Sequence, residues 1–329
     1  MAKAQLKLTI EDVARAAGVS RSTVSRVMNN LPGVNEAVRR EVKRIITDLA
    51  YVPDQTARAL ASRQHPAIDV VAVTHGSALG WLGSHPYYSR VLAGVMTVLD
   101  GRDVQLRVHS VGDDDAAVDA IAERATAGIV LADAPPGLAA RLRRRCKRVV
   151  SLVATANSVP TVEADNAGGA YAAVTFLHGL GRRRIAAIHG PDDTSCGVNR
   201  RAGYLRAIEE LGLPDLSDGG RFRREVGFDA AHRLLDRYPD LDAMFVACDL
   251  MAAGAVQAIS ATGRGVPHDV SVIGFDDSIA AVCANPPLTT MRMPVEEMAA
   301  TATRLLLDDS VAGGYRQRFP VELVVRGST

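Results

Sequence analysis

The sequence predicts a small all-α segment of the helix-turn-helix type at the N-terminus, followed by a larger α/β region of parallel sheets covered by helices. The chain has 329 residues, a length that favours about two domains. Residues 9–50 show short amphipathic helical patterns separated by glycine and proline. From Asp69 onward, apolar segments typical of buried strands alternate with helical patterns, an order that indicates β-α-β units.

Composition excludes several classes of protein. Apolar residues make up 47% of the chain and charged residues 23%, which is usual for a globular protein and rules out a wholly disordered chain. No apolar run approaches the ~20 residues that cross a bilayer, and the first residues lack the apolar stretch of a secretory signal. We therefore predict a cytoplasmic protein that does not enter a membrane.

The cysteines and histidines form no metal or catalytic motif. The four cysteines are widely separated without a CxxC pair, and the histidines lack HxxxH or HExxH spacing. No Walker loop or GxGxxG sequence opens a helix. The prediction is a protein without metal, cofactor or catalytic residues, which is not an enzyme.

Charge is unevenly distributed along the chain. Residues 1–63 contain 11 Lys and Arg against 6 Asp and Glu, a net charge of +5, whereas the remainder carries −4. A basic head on a mildly acidic body indicates that the head binds a polyanion and the body does not. Random scatter of charge is the alternative.

Three short helices are predicted in the head. Thr9 can cap the first helix, which Gly18 ends because glycine tolerates a positive φ. Ser20 can cap a second helix over residues 21–29, and a third follows Asn35. Two short helices joined by a turn that contains glycine make a helix-turn-helix.

The outward face of the second helix carries only arginine, serine and asparagine side chains. These residue types bind base edges and phosphates, and arginine can contact guanine through two hydrogen bonds. The face indicates a helix that enters the major groove of duplex DNA, and a plain three-helix bundle is the alternative. Its residues are Arg21, Ser22, Ser25, Arg26 and Asn29.

A further short helix is predicted after Pro53. It spans about ten residues and would be marginal alone, which favours folding on contact with DNA. Leu60 would be exposed on it and can wedge between base steps in the minor groove. The alternative is an ordinary linker whose leucine packs on its neighbours.

These motifs resemble the signature of the lac repressor family (LacI/GalR-type transcriptional regulators). The likeness is carried by residues 9–14, 17–20, 23–27 and 29, and by residues 51–54, 57, 58 and 60 at the short helix. It implies a head that reads a palindromic operator from the major groove and a hinge helix that reads its centre from the minor groove. The implied DNA-binding residues are Thr9, Ser20, Arg21, Ser22, Thr23, Ser25, Arg26, Asn29, Asn35, Tyr51, Ala57, Arg58 and Leu60.

The body is predicted as a parallel α/β fold of two lobes. About 260 residues are many for one sheet, and ligands of such folds lie at the carboxyl ends of strands. From the apolar pattern, strands are expected at 70–74, 104–109, 128–131, 149–153, 184–189, 244–247 and 270–275. Helices are expected at 87–99, 116–125, 167–180, 200–211 and 227–235.

The resemblance extends over nearly the whole chain. Residues 270–277, 287–290 and 323–329 are close to the family pattern, which implies a two-lobed, periplasmic-binding-protein-like sensor. We expect a helix-turn-helix domain at 1–52, a hinge helix and linker at 53–65, and an effector-binding and dimerisation domain at 66–329. Its N-lobe would span about 66–163 and 293–319, and its C-lobe about 164–291 and 320–329.

The resemblance also implies an effector site between the lobes. Arg200 and Asp276 match the family's arginine and acid, which suit vicinal hydroxyls or a polar ring. Phe222 matches the aromatic residue that covers a ring, and Tyr87 or Tyr88 would line the opposite wall. The implied effector-binding residues are Tyr87, Tyr88, Asp165, Arg200, Phe222, Cys248, Asp276 and Met293.

Two of these positions depart from the family pattern. Cys248 stands where the family usually has Asn, and Met293 where many members have Gln. Both changes remove a strong hydrogen-bonding group, which points to a ligand less polar than a simple sugar or differently oriented. The alternatives are an interlobe ion pair of Arg200 with Asp276 without ligand, and core packing for Phe222.

The combined prediction is a homodimeric, sequence-specific transcriptional regulator, a repressor. It would bind double-stranded operator DNA and respond to a small polar effector, a sugar or related metabolite. A nucleoside or purine-type effector is one alternative. A stand-alone solute-binding protein is another, which the basic head and the missing signal disfavour. An enzyme of the doubly wound class is the third, and no catalytic constellation supports it.

Overall fold

The computed structural model describes residues 8–28, 32–49, 51, 65–73, 85–112, 115–308 and 312–329. Backbone contacts divide the chain into two compact units, Met1–Pro66 and Ala67–Thr329, which we call the headpiece and the α/β unit. Within the described ranges, no helix combines the length and apolar character needed to cross a bilayer. The predicted hinge residues Ala57, Arg58 and Leu60 lie outside these ranges, as does Asn29.

Side-chain caps set the starts of the headpiece helices. Thr9 and Asp12 form a capping box, in which the Thr9 N–H donates to Asp12 Oδ2 at 2.9 Å and the Asp12 N–H to Thr9 Oγ1 at 3.4 Å. The Thr23 N–H donates to Ser20 Oγ at 3.2 Å, and Asn35 accepts in the same way at the third helix. The helices are α1 (Ile10–Ala16), α2 (Arg21–Met28) and α3 (Glu36–Asp48).

A small aliphatic core holds the headpiece helices together. Val13, Val24 and Val42 come one from each helix. They have no exposed surface and belong to this core. Gly18 makes the turn between α1 and α2 with a φ of +62°, a conformation that other residues rarely adopt. The predicted helix-turn-helix is confirmed.

The N-lobe of the α/β unit is built on a six-stranded parallel sheet. Its first elements are β1 (Ala67–Val73), α4 (Pro86–Leu99), β2 (Gln105–Val111), α5 (Asp115–Arg124), β3 (Gly128–Asp133), α6 (Pro136–Arg145), β4 (Val149–Ser151) and β5 (Thr161–Ala164). The late segments α12 (Val295–Leu307) and β11 (Arg316–Phe319) complete it. The strand order is β11-β5-β4-β3-β1-β2.

The C-lobe contains a second six-stranded sheet. Its elements are α7 (Asn166–Gly179), β6 (Ile185–His189), α8 (Ser195–Leu211), β7 (Leu216–Gly219), α9 (Arg224–Arg237), β8 (Ala243–Val246), α10 (Asp249–Ala261), β9 (Ser271–Asp276), α11 (Ile279–Cys283), β10 (Thr289–Arg292) and β12 (Glu322–Val324). The strand order is β12-β10-β9-β8-β6-β7, and β12 runs antiparallel to β10.

Both sheets are buried between helices. Every residue of β8 and β9 is buried, as expected for parallel strands covered on both faces. The chain passes between the lobes after β5, after β10 and after β11. The predicted α/β fold of two lobes is confirmed, and the crossings bring the carboxyl ends of strands from both sheets to one cleft.

Candidate functional site

The headpiece presents a polar face along α2. The Arg21 side chain is 64% exposed and makes an ion pair with Glu11 at 3.3 Å, and Ser22 and Arg26 are also exposed. Ser25, on the same side of the helix, is half-buried. An exposed face of arginine and serine above an apolar core is available to bases and phosphates.

Several of the predicted DNA-binding residues have structural roles as well. Thr9, Ser20 and Asn35 cap helices, and the Ser20 hydroxyl lies 2.8 Å from those of Ser22 and Thr23. Tyr51 is half-buried and packs against the headpiece core. These residues therefore set the shape of the headpiece, whatever they contribute to a complex.

A cavity of about 50 Å³ lies between the lobes of the α/β unit. N-lobe residues at the start of α4, at the end of β3 and after β4 form one wall, and C-lobe residues form the other. This volume holds a few water molecules. The lining residues are His85, Tyr87, Tyr88, Asp133, Leu152, Val153, Ala164, Asn166, Cys196, Arg200, Phe222, Asp276 and Met293.

Arg200 is the centre of the polar wall. Its side chain is 4% exposed and forms an ion pair with Asp276, Nη2 to Oδ1, at 3.1 Å. Its Nε donates to Asn166 Oδ1 at 2.8 Å, and its Nη1 donates to the Ala247 carbonyl at 2.5 Å. The remaining contact, from Nη2 to Met293 Sδ at 3.7 Å, is weak. Arg200 and Asp276 both belong to the C-lobe, so their ion pair does not join the lobes.

Aromatic side chains form another part of the wall. Phe222 is 8% exposed, and its ring centre lies 6.3 Å from that of His85. The Tyr87 hydroxyl donates to the Ala132 carbonyl at 2.7 Å, and the Tyr87 and Tyr88 rings meet edge to face at 5.3 Å. Burial lowers the pKa of His85 to about 4, so its imidazole is neutral at pH 7.

Six of the eight predicted effector residues line this cavity, and two do not. Asp165 caps α7, where its carboxylate accepts from the Gly168 N–H at 3.1 Å. Cys248 is 1% exposed, lies in the C-lobe core, and has a thiol pKa raised by burial. Neither residue is among those that line this cavity, and their role in effector binding stays a prediction.

The sequence reasoning missed several polar lining residues. Asn166 follows β5 and accepts from Arg200, and Asp133 ends β3. Polar residues at the carboxyl ends of parallel strands are the signal that could have identified both. Cys196 lines the cavity too, and burial raises the pKa of its thiol to about 11.

A second buried carboxylate lies behind Asp276. Asp249 has no exposed surface, and it accepts from the Thr290 hydroxyl at 2.6 Å and from the Ser278 N–H at 2.7 Å. Burial, together with the negative charge of Asp276, raises the pKa of Asp249 to about 7. The folded chain therefore holds a proton there that the unfolded chain releases near its ordinary value of 3.8.

This buried acid predicts a pH-dependent stability. A raised pKa in the folded state contributes stability that is complete below about pH 4 and lost as pH rises to about 7. The melting temperature of the wild type minus that of Asp249→Asn should therefore fall by several degrees over this range and stay constant at higher pH. Calorimetry of the full chain measures it, and identical pH slopes in the two proteins would contradict it.

Comparison with known proteins finds family matches in both parts of the chain. Residues 9–54 match the sequence profile described as bacterial regulatory proteins, lacI family, and residues 174–329 match that of a periplasmic binding protein-like domain. The HTH-type transcriptional regulator CelR of Thermobifida fusca is 36% identical over 96% of this chain and 95% of its own length. DegA of Bacillus subtilis (strain 168), also an HTH-type transcriptional regulator, is 33% identical over 98% of both chains.

Solved structures show the same relationship. A transcriptional regulator CelR–cellobiose complex superposes with a TM-score of 0.73 at 32% identity, covering 98% of this chain and 100% of that chain. A lac repressor dimer bound to operator and the anti-inducer ONPF gives 0.72 at 28% identity, covering 98% and 99%. The chain therefore belongs to the lacI family of bacterial regulatory proteins and is a DNA-binding transcriptional regulator under allosteric control.

Proposed function

We propose that this regulator is a homodimeric repressor whose operator affinity changes when a sugar or glycoside enters the interlobe cavity. The observation that carries the proposal is the buried Arg200–Asp276 pair, which lines the same cavity as apolar and aromatic side chains that include Phe222. A fixed charged pair beside an apolar wall suits a ligand that has hydroxyls on its edge and C–H groups on its face.

The headpiece supports the operator part of the proposal. One helix-turn-helix covers only a few base pairs, so two-fold pairing of the chain is needed for a specific, palindromic site. The lac repressor structure similar to this chain is a dimer bound to operator. We propose that Arg21, Ser22, Ser25, Arg26 and Asn29 meet the major groove, with Ala57, Arg58 and Leu60 at the minor groove.

The Arg200 contacts indicate how an effector hydroxyl would bind. Three of its contacts are to oxygen atoms that hold it in place, whereas the fourth is to the Met293 sulfur. A thioether is a weak acceptor, so a hydroxyl can replace it at Arg200 Nη2 without leaving a strong acceptor unpaired. The same hydroxyl can donate to the Asp276 carboxylate.

The size of the cavity bears on the effector class. The cavity of about 50 Å³ is lined by both lobes, so a ligand that fills it contacts side chains of each lobe. A larger hollow of about 330 Å³ shares Asp133 with the cavity and is also lined by Asp192, Thr194 and Asn199. We propose an effector with two rings, one in each space; the similar CelR was solved with cellobiose.

We propose that the effector is bound and released without chemical conversion. His85 is neutral because burial lowers its pKa to about 4, and the Cys196 thiol is protonated because burial raises its pKa to about 11. A protonated thiol is a poor nucleophile. Recovery of unchanged compound after prolonged incubation tests this, and any product would contradict it.

A ligand screen followed by a gel shift tests the effector proposal. We expect cellobiose or another two-ring glycoside to raise the melting temperature by mass action, more than glucose does. The same compound should change the affinity for operator DNA. Stabilisation by nucleosides alone would replace the sugar with the other effector class, and binding without an effect on DNA affinity would contradict allosteric control.

Arg21→Ala should change which operator bases matter. A bidentate contact of arginine to guanine contributes about 1–3 kcal/mol of discrimination against the wrong base. In Arg21→Ala, the preference for one base over the others at one position of each half-site should therefore fall by roughly 10–100-fold. Selection from randomised half-sites measures it. Arg44→Ala removes an exposed arginine of α3 that pairs with Glu41 and Asp48, and should leave the base profile unchanged. Equal profiles for Arg21→Ala and the wild type would disprove the groove assignment.

A further inference from the structure

One arginine outside the cavity wall contacts both lobes. Arg90 lies on α4 of the N-lobe, and its Nη1 donates to the carbonyl of Asp276 at 2.7 Å. Its Nη2 donates to the carbonyl of Met293 at 2.9 Å. Asp276 ends β9 of the C-lobe, and Met293 lies on the crossing that leads from β10 to α12. A single guanidinium therefore joins an N-lobe helix, a C-lobe strand and an interlobe crossing.

The arginine is itself held in place. Its Nε and Nη2 donate to the two carboxylate oxygens of Glu296, each at 2.7 Å, and Glu296 lies on α12 of the same lobe. The Arg90 side chain is only 19% exposed. A bidentate, half-buried pair of this kind fixes the orientation of the guanidinium more strictly than a surface ion pair does.

The carbonyl that Arg90 binds belongs to a strained turn. Asp276 has a φ of 110° and Asp277 a φ of 55°, values that residues other than glycine rarely adopt. Such a backbone persists only where surrounding contacts hold it. The Asp276 carboxylate, on the same residue, points to Arg200 in the cavity. The position of the carbonyl and that of the effector-binding carboxylate are therefore linked through one Cα atom.

We propose that Arg90 is a positioning residue that couples the effector cavity to the arrangement of the lobes. It holds Asp276 in the turn that aims its carboxylate at Arg200, and it transmits any displacement of Asp276 and Met293 to α4 and α12. The coupling part of this inference rests on the proposed effector site. The positioning part depends only on contacts within the chain, so the two can be tested separately.

Hydrogen–deuterium exchange without any effector tests the positioning part. Arg90→Met keeps an unbranched apolar stem and removes every donor. The Ser278 N–H, which donates to Asp249 at 2.7 Å, and the Met293 N–H, which lies 3.4 Å from the Asp276 carbonyl, should exchange about tenfold faster in this variant. The matched control is Arg206→Met, which removes an exposed arginine that pairs with Glu210. Unchanged exchange at residues 276–278 and 293 would overturn the inference.

Operator gel shifts with and without cellobiose test the coupling part. In Arg90→Met, cellobiose should bind about tenfold more weakly, and the ratio of operator affinities with and without cellobiose should approach one. Arg90→Lys keeps the charge but not the fork of donors, so its affinity ratio should lie between those of Arg90→Met and the wild type. The ratio of Glu296→Gln, which keeps Arg90 but weakens its ion pair, should also be intermediate. A purely structural role would lower the melting temperature of Arg90→Met and leave this ratio at the wild-type value, which would refute coupling.

The outcomes separate this inference from the proposed function. If cellobiose does not stabilise the wild type while exchange near Asp276 increases in Arg90→Met, the choice of effector fails and the positioning role stands. If cellobiose acts on the wild type while exchange and coupling in Arg90→Met stay at wild-type values, the proposed function stands and the role of Arg90 is disproved.

Discussion

Arg200→Met should abolish effector binding and lower the stability of the α/β unit by about 3–5 kcal/mol, the usual cost of breaking a buried ion pair. The change leaves the Asp276 carboxylate buried without its cation. It also removes the donors to Asn166 Oδ1 and to the Ala247 carbonyl. For a domain of this size, the loss corresponds to a fall of roughly 10 °C in melting temperature.

Two further variants separate loss of binding from loss of fold. Arg201→Met changes the next residue of α8, which is exposed, and should leave both effector binding and the melting temperature near wild type. Asp276→Asn keeps the shape of the acid and removes its charge, so it should bind effector poorly while unfolding at a higher temperature than Arg200→Met. Thermal shift with and without effector measures both, and an Arg200→Met protein that still responds to effector would contradict the site.

Local signals explain why the headpiece could be predicted from the sequence. Thr9, Ser20 and Asn35 each lie one residue before a helix that their side chains cap, and Gly18 lies in the turn. These signals act over three or four residues, so the sequence contains them directly. The third helix begins at Glu36, directly after Asn35 as expected.

Strands that bury apolar side chains could be predicted from the sequence, whereas strands that bury polar side chains could not. β3 and β8 are aliphatic runs, whereas β5, β7, β10, β11 and β12 were not predicted. In β10, Thr289 and Thr290 have no exposed surface, because their hydroxyls bond to Thr329 and Asp249, about 40 residues away in sequence. Such partners are known only once the chain is folded, so a hydrophobic pattern treats these threonines as loop residues.

The site was predictable as far as the family likeness reaches. The family likeness identified Arg200, Phe222 and Asp276, and all three line the cavity. At 165–166 the likeness pointed to Asp165, which caps the helix, whereas the residue that accepts from Arg200 is Asn166. The bonds of Arg90 to two carbonyls in distant parts of the chain follow from the packing of the lobes, which no local pattern encodes.

Val24→Asp should abolish operator binding and leave effector binding intact. Val24 has no exposed surface and lies at the centre of the headpiece core with Val13 and Val42. Burying an unpaired carboxylate there costs several kcal/mol, and a unit this small has little stability to lose. Even if DNA drives refolding, a cost of about 3 kcal/mol reduces affinity by ~100-fold.

The control for this prediction keeps the charge change and moves it to the surface. Thr47→Glu adds one negative charge on an exposed position of α3, so its electrostatic effect on DNA binding is comparable while the core stays intact. It should retain operator binding to within a few-fold. Because the headpiece and the α/β unit are separate compact units, the melting of the α/β unit should be the same in both variants. If Val24→Asp still bound operator like Thr47→Glu, the packed helix-turn-helix would not be the element that reads DNA.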